Sequence, residues 1–260
     1  MKIGEFIGLA FRAVRFGIRM ILAGHGGFFF KDCFSRSISL LYFPAWRSRL
    51  APGPEFLSVQ TDYPVAYDSP DHIVPYGTAR NDISHYAFIV KMTKFMGKGA
   101  FLDLGCSGGQ LVVDFYRLGW RAVGLEGSDF SKRKARAAWK DWSDKLLFTA
   151  DIGKPFHIDG QFDLITSWEV FEHLDLDRLK QLCENIQRHS RPGTMLIATA
   201  SSSSEMQNGV ELHVTRWKPD EWERFFEKHL GWKTIKPPFS QLFMPRLSVD
   251  GRPIVFRRQS

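Results

Sequence analysis

The chain has 260 residues, 44% of them apolar, with 23 Phe and 8 Trp, enough for one sizeable core plus an extension. Its three cysteines, Cys33, Cys106 and Cys183, are scattered with no CxxC pair, which excludes a zinc ribbon or disulfide framework and fits a reducing, cytoplasmic compartment. The net charge of +7 sits at one end: residues 1–50 hold eight basic and two acidic groups, the rest 27 and 26, so the body offers nucleic acid no basic footprint.

Residues 1–22 read as an amphipathic helix, with Lys2, Glu5, Arg12, Arg15 and Arg19 inside an arc of roughly 140°. No stretch of about 18 residues lacks a charge, so an interfacial helix fits better than a spanning one. Phe28, Phe29 and Phe30 would prolong the contact, and peripheral membrane association through residues 1–30 is the expectation. A helix packed on its own domain and a cleaved targeting peptide are the competing readings. Residues 44–75 look loop-like, with Pro52, Pro54, Pro64, Pro70 and Pro75. This divides the chain into an extension, 1–74, and a domain, 75–260. A helix is expected near 80–97. Strands follow at 100–104, 120–125, 146–150, 162–167 and 194–200, and helices at 108–118, 130–140, 175–189 and 218–229. That alternation predicts an α/β fold, a mostly parallel sheet with helices on both faces.

The first strand runs into Asp103-Leu104-Gly105-Cys106-Ser107-Gly108-Gly109. A strand, a glycine turn and a helix start form the usual seat of a nucleotide-like ligand. The dinucleotide pattern GxGxxG fails twice, at Ser107 and Gln110, and no Gly-Lys-Ser/Thr follows. Asp103 places negative charge where a pyrophosphate would lie, which favours a cationic ligand. The stretch resembles motif I of the class I S-adenosylmethionine-dependent methyltransferases, which implies their Rossmann-like sheet and S-adenosylmethionine as cofactor. By the same resemblance Glu126, with Gly127 behind it, holds the ribose. Asp151 and Ile152 face the adenine, and Ser167 and Trp168 end the fourth strand beside the cofactor. Arg191-Pro192-Gly193 resembles the turn before the fifth strand.

Methyl transfer to a hydroxyl needs alignment and proton removal. His173 and His213 are the candidate bases, since neutral imidazole titrates near about 6.5. Glu169-x-x-Glu172-His173 also resembles a stretch of quinone-biosynthesis O-methyltransferases associated with a divalent metal. Such an ion is possible here but not expected, and Glu172 and His173 bracing the next helix is an equal reading. His213 followed by Trp217, Trp222 and Phe225 resembles methyltransferases of glycan biosynthesis. The expected acceptor is accordingly a sugar or lipid-linked glycan, with a phenolic or quinone-like lipid as the alternative. A non-catalytic S-adenosylmethionine-binding scaffold is the reading from another class. Nucleic-acid methylation is disfavoured, because no Asn/Asp-Pro-Pro-Tyr stretch ends the fourth strand.

Overall fold

A computed structural model describes residues 34–35, 37–74, 85–245 and 252–259. The helix expected at 1–22, the rest of the 1–30 segment, Cys33 and Pro75 lie outside the described residues.

Five parallel strands form where expected: Ala100–Leu104 (β1), Arg121–Glu126 (β2), Leu147–Thr149 (β3), Phe162–Trp168 (β4) and Ser190–Thr199 (β5). Lys233–Thr234 (β6) and Ile254–Arg257 (β7) complete the sheet in the order β3-β2-β1-β4-β5-β7-β6. β7 is antiparallel to both of its neighbours. The central strand β1 is buried at every residue, and its alternate side chains serve opposite cores. Phe101 joins Phe88 of Tyr86–Met96 (α1) and Phe115 of Gln110–Arg117 (α2). Leu102 joins Leu182 of Leu176–Arg188 (α3) and Phe226 of Pro219–Leu230 (α4). Burying each such side chain contributes about 1.5–3 kcal/mol, so both faces must be covered, and a parallel sheet covered on both faces has its ligand edge at the strand C-termini.

Two expectations need correction. The helix expected over 130–140 is two short turns, Phe130–Arg133 and Trp139–Trp142, because Ala135 (φ +45°) and Ala137 (φ +46°) adopt left-handed backbone. The break lets Ala138 N donate to Gly108 O (3.0 Å) and Trp139 Nε1 to Ser107 O (2.8 Å), tying the segment to the glycine turn. Arg191-Pro192-Gly193 lies inside β5 rather than before it. There Gly193 (φ +90°) donates its N–H to Arg258 O, and the pairing with β4 shifts register between Phe162 and Leu164.

The proline-rich stretch lacks periodicity yet is packed. Trp46 is buried, donates from Nε1 to Asp114 O (3.3 Å), and meets Tyr86 of α1 with ring centroids 4.9 Å apart. Val59–Gln60 pairs antiparallel with His157–Ile158. Proline removes donors but leaves side chains free to bury.

Gly109 (φ +81°) caps α2, and a Cβ on it would stand 2.3 Å from Leu147 Cδ1. Left-handed strain and overpacking each cost about 1–3 kcal/mol. Gly109→Ala is therefore expected to lower the unfolding free energy by about 2–4 kcal/mol in urea denaturation.

Candidate active site

After β1 the chain must reverse within five residues to start α2. Gly105 (φ +77°), Ser107 (φ +50°) and Gly109 do so in left-handed backbone. Gly105 N and Cys106 N both donate to Leu125 O at 2.8 and 2.9 Å, which locks the turn to β2. Cys106 is buried there, and Gly124 makes room for it, since a Cβ on Gly124 would lie 2.8 Å from the sulfur. Gly108 carries the tie to Ala138 described above.

Carboxylates stand on three adjoining strand ends. Asp103 is buried and accepts from Thr166 Oγ1 of β4 at 2.5 Å. Glu126 accepts from Ser107 N (2.8 Å) and Ser128 N (3.3 Å). Burial pushes its carboxyl up to about 7, against the pull of those two amides. Asp151 accepts from Gly153 N (2.9 Å) on one oxygen and from Arg178 of α3 (2.6 Å) on the other. Gly127 O accepts from Ala66 N (2.7 Å), and Ile152 is buried in the core beside Asp151. The edge thus presents a glycine cradle and acids suited to a cationic, diol-bearing ligand. A Cβ on Gly105 would strike Val170 at 2.4 Å, so the cradle admits no larger residue there.

The adjacent end of β4 carries the other candidates. Ser167 donates to Leu104 O (2.9 Å), pinning β4 to β1. Trp168 packs edge-on against Phe88 (5.6 Å), and its buried Nε1 meets no partner among the described residues. Glu169 turns the corner in left-handed backbone (φ +56°), a strain that side chains rarely bear. Glu172 is fully buried, with one oxygen accepting from Ser201 N (3.0 Å). Burial, reinforced by the Glu169 charge, pushes it up to about 8.

The two histidines stand 4.9 Å apart, centroid to centroid, in different states. Their partners assign the protons. His173 Nδ1 donates to Leu212 O (2.9 Å), which leaves the lone pair on Nε2. Burial, against the raising effect of that bond, holds its pKa below the usual value. His213 Nδ1 faces Ser203 O (2.6 Å) and Nε2 faces Glu205 (3.1 Å), both acceptors. Both nitrogens therefore carry hydrogen. Burial works against that charge, but Glu205, Ser203 O and Glu172 outweigh it and raise the pKa to about 9. An imidazolium engaged on both sides has no lone pair, so the expectation of His213 as a base does not fit this geometry.

The metal expectation changes as well. The ligand atoms that lie within 4.8 Å of one another belong to Glu172, His173 and His213, without Glu169.

Sequence reasoning missed Glu205, Thr166, Trp139 and Arg178. Each acts across a gap in sequence, where no period marks it.

The parallel sheet with its antiparallel β7, and the glycine turn flanked by strand-end acids, define a Rossmann-like methyltransferase. The chain belongs to the methyltransferase-domain family, whose model matches residues 83–236, and S-adenosylmethionine is its cofactor. A ubiquinone biosynthesis O-methyltransferase of Pelagibacter ubique is 29% identical over 134 residues, covering 48% of this chain and 54% of that one. One from Rhodopseudomonas palustris is 30% identical over 147 residues, covering 50% and 55%. The chain spans about half the length of the curated relatives it matches. A solved S-adenosylmethionine-dependent methyltransferase from Clostridium acetobutylicum has the same fold, with a TM-score of 0.52 at 14% identity over 73% of this chain and 96% of that one.

A ribose diol donates to a carboxylate better than to a neutral carboxyl. Glu126 is mostly protonated at pH 6 and mostly ionised at pH 8. S-adenosylhomocysteine is expected to bind about five- to tenfold more tightly at pH 8, and Glu126→Gln to flatten that slope in calorimetric titrations.

Proposed function

We propose that the protein O-methylates a phenolic, quinone-like lipid. The observation that carries this reading is the lone pair of His173 Nε2 beside the His213 imidazolium. In this scheme the acceptor hydroxyl attacks the sulfonium methyl in line, its proton passes to His173 Nε2, and S-adenosylhomocysteine leaves. A base of lowered pKa next to a fixed cation suits a phenol, whose pKa lies near about 10, and is poorly matched to the far less acidic hydroxyl of a sugar. The imidazolium would stabilise the developing phenolate. The relatives named ubiquinone biosynthesis O-methyltransferases support the same acceptor class.

The glycan reading leaned on the aromatic series after His213. Trp222 is buried, and Trp217 and Phe225 pack against the same core, so these rings serve the fold instead of forming an acceptor platform.

In this proposal Asp103, Gly105, Cys106, Ser107, Gly108 and Gly109 cradle the cofactor. Glu126 and Gly127 take the ribose, Asp151 and Ile152 the adenine, and Ser167 and Trp168 border the reacting end. Residues 1–74 form the extension, and residues 1–30 within it meet the membrane where the lipid acceptor resides. Leu40 and Leu41 are 60% and 78% exposed next to the basic, Phe-rich start, and such a surface suits an anionic bilayer.

His173→Ala should lower kcat about 10²–10⁴-fold with the affinity for S-adenosylhomocysteine unchanged, and activity should survive a chelator. A fully active variant would sink the base assignment. In co-sedimentation with liposomes rich in phosphatidylglycerol, the full chain is expected to pellet and a chain lacking residues 1–30 to stay behind. Equal binding by the two removes the membrane reading.

A further inference from the structure

Residues 63–72 cross the outside of the cofactor edge. Asp151 N donates to Tyr63 O (2.8 Å), and Ala66 N donates to Gly127 O (2.7 Å). Ser131 Oγ meets buried Asp71 (3.4 Å), and His72 stands 3.7 Å from Asp129. The segment thus runs from Asp151, two residues past β3, over Gly127, just past β2, to the short helix beyond. These are the positions assigned above to adenine and ribose. The approach is close, for a Cβ on Gly127 would lie 3.1 Å from Ala66 Cβ and 3.5 Å from Ser69 Cβ. Ser69 Oγ is buried there with no partner among the described residues, a polar atom left for something the protein itself does not supply.

Arg178 closes the arrangement. Its guanidinium, 13% exposed, donates to Asp151 and to Asp68 of the crossing segment at once. Gly153 makes this possible, because a Cβ there would stand 2.7 Å from Arg178 Cβ. One guanidinium nitrogen reaches each carboxylate, Nη1 to Asp68 and Nη2 to Asp151, so a single planar group ties the two acids together.

We propose that residues 63–71 form the outer wall of the adenosine pocket, with Ser69 as a cofactor-binding hydroxyl and Arg178 as the positioning residue that clamps this wall and the adenine-facing acid together. The inference rests on the cofactor reading and adds to it a wall outside the sheet. Through the clamp, Asp151 is held with its remaining lone pairs toward the exocyclic amine of adenine, and the wall is held shut over the ribose.

The test uses calorimetry and stopped-flow dissociation on the intact protein with two ligands. One is S-adenosylhomocysteine, the other S-inosylhomocysteine, in which a carbonyl replaces the adenine amine. Asp68→Asn, at an exposed position, is expected to speed dissociation of both ligands about three- to tenfold with their ratio of affinities unchanged. Arg178→Gln is expected to weaken S-adenosylhomocysteine about tenfold or more and to narrow the preference for adenine over hypoxanthine, because Asp151 is then free to rotate. Ser69→Ala should weaken both ligands about equally. If the parent binds and the variants bind as it does, the wall is overturned. Equal loss of both ligands in Arg178→Gln overturns the positioning role, since a merely structural arginine would behave that way. A parent that binds neither ligand overturns the cofactor reading, and the inference with it.

Discussion

Four carboxylates are gathered at one edge of a single sheet, and withdrawing them from water is the constraint on which the surrounding loops depend. An isolated charge loses several kcal/mol on such a transfer, so each acid needs a partner or a proton. Asp103 takes the hydroxyl of Thr166, Glu126 takes two loop amides, and Asp151 takes an amide and a guanidinium. Glu172 takes one amide, and burial raises its pKa. Each solution dictates local backbone: the left-handed Ser107 presents its N–H to Glu126, and the serine loop after β5 is drawn in by Ser201. The loops are ordered because the acids beneath them are.

The paired histidines show how partners, not residue type, assign chemistry. Two imidazoles stand in edge contact, and one carbonyl oxygen faces each Nδ1. The difference lies at the other nitrogen, where His213 meets a carboxylate. With that glutamate bonded to one of them, the pKa values of two imidazoles 4.9 Å apart move in opposite directions.

Much of this was legible in the sequence, and the reasons are physical. β1, β2 and β4 are buried on both faces, so they read as apolar runs, and the glycine turn stands out because left-handed backbone demands that residue. The acids of this edge were visible because they stand at strand ends. The split at Ala135 and Ala137 was not, because the forces breaking that helix come from Ser107 and Gly108. Arg178 lies on a plainly amphipathic helix, where an arginine reads as a solvated face, and Glu205 sits in a loop without period. Trp222 stands out in the sequence only as part of an aromatic series resembling glycan-biosynthesis methyltransferases, and its burial in the core is not visible in that pattern.

The strand Ile254–Arg257 lies between β5 and β6 although it follows both in the chain. During synthesis β5, ten residues long and apolar over its second half, therefore emerges with one flank open for more than fifty residues. An open flank of unpaired amides and carbonyls is a template for another chain. Insertion of this short antiparallel strand covers that flank in the folded protein.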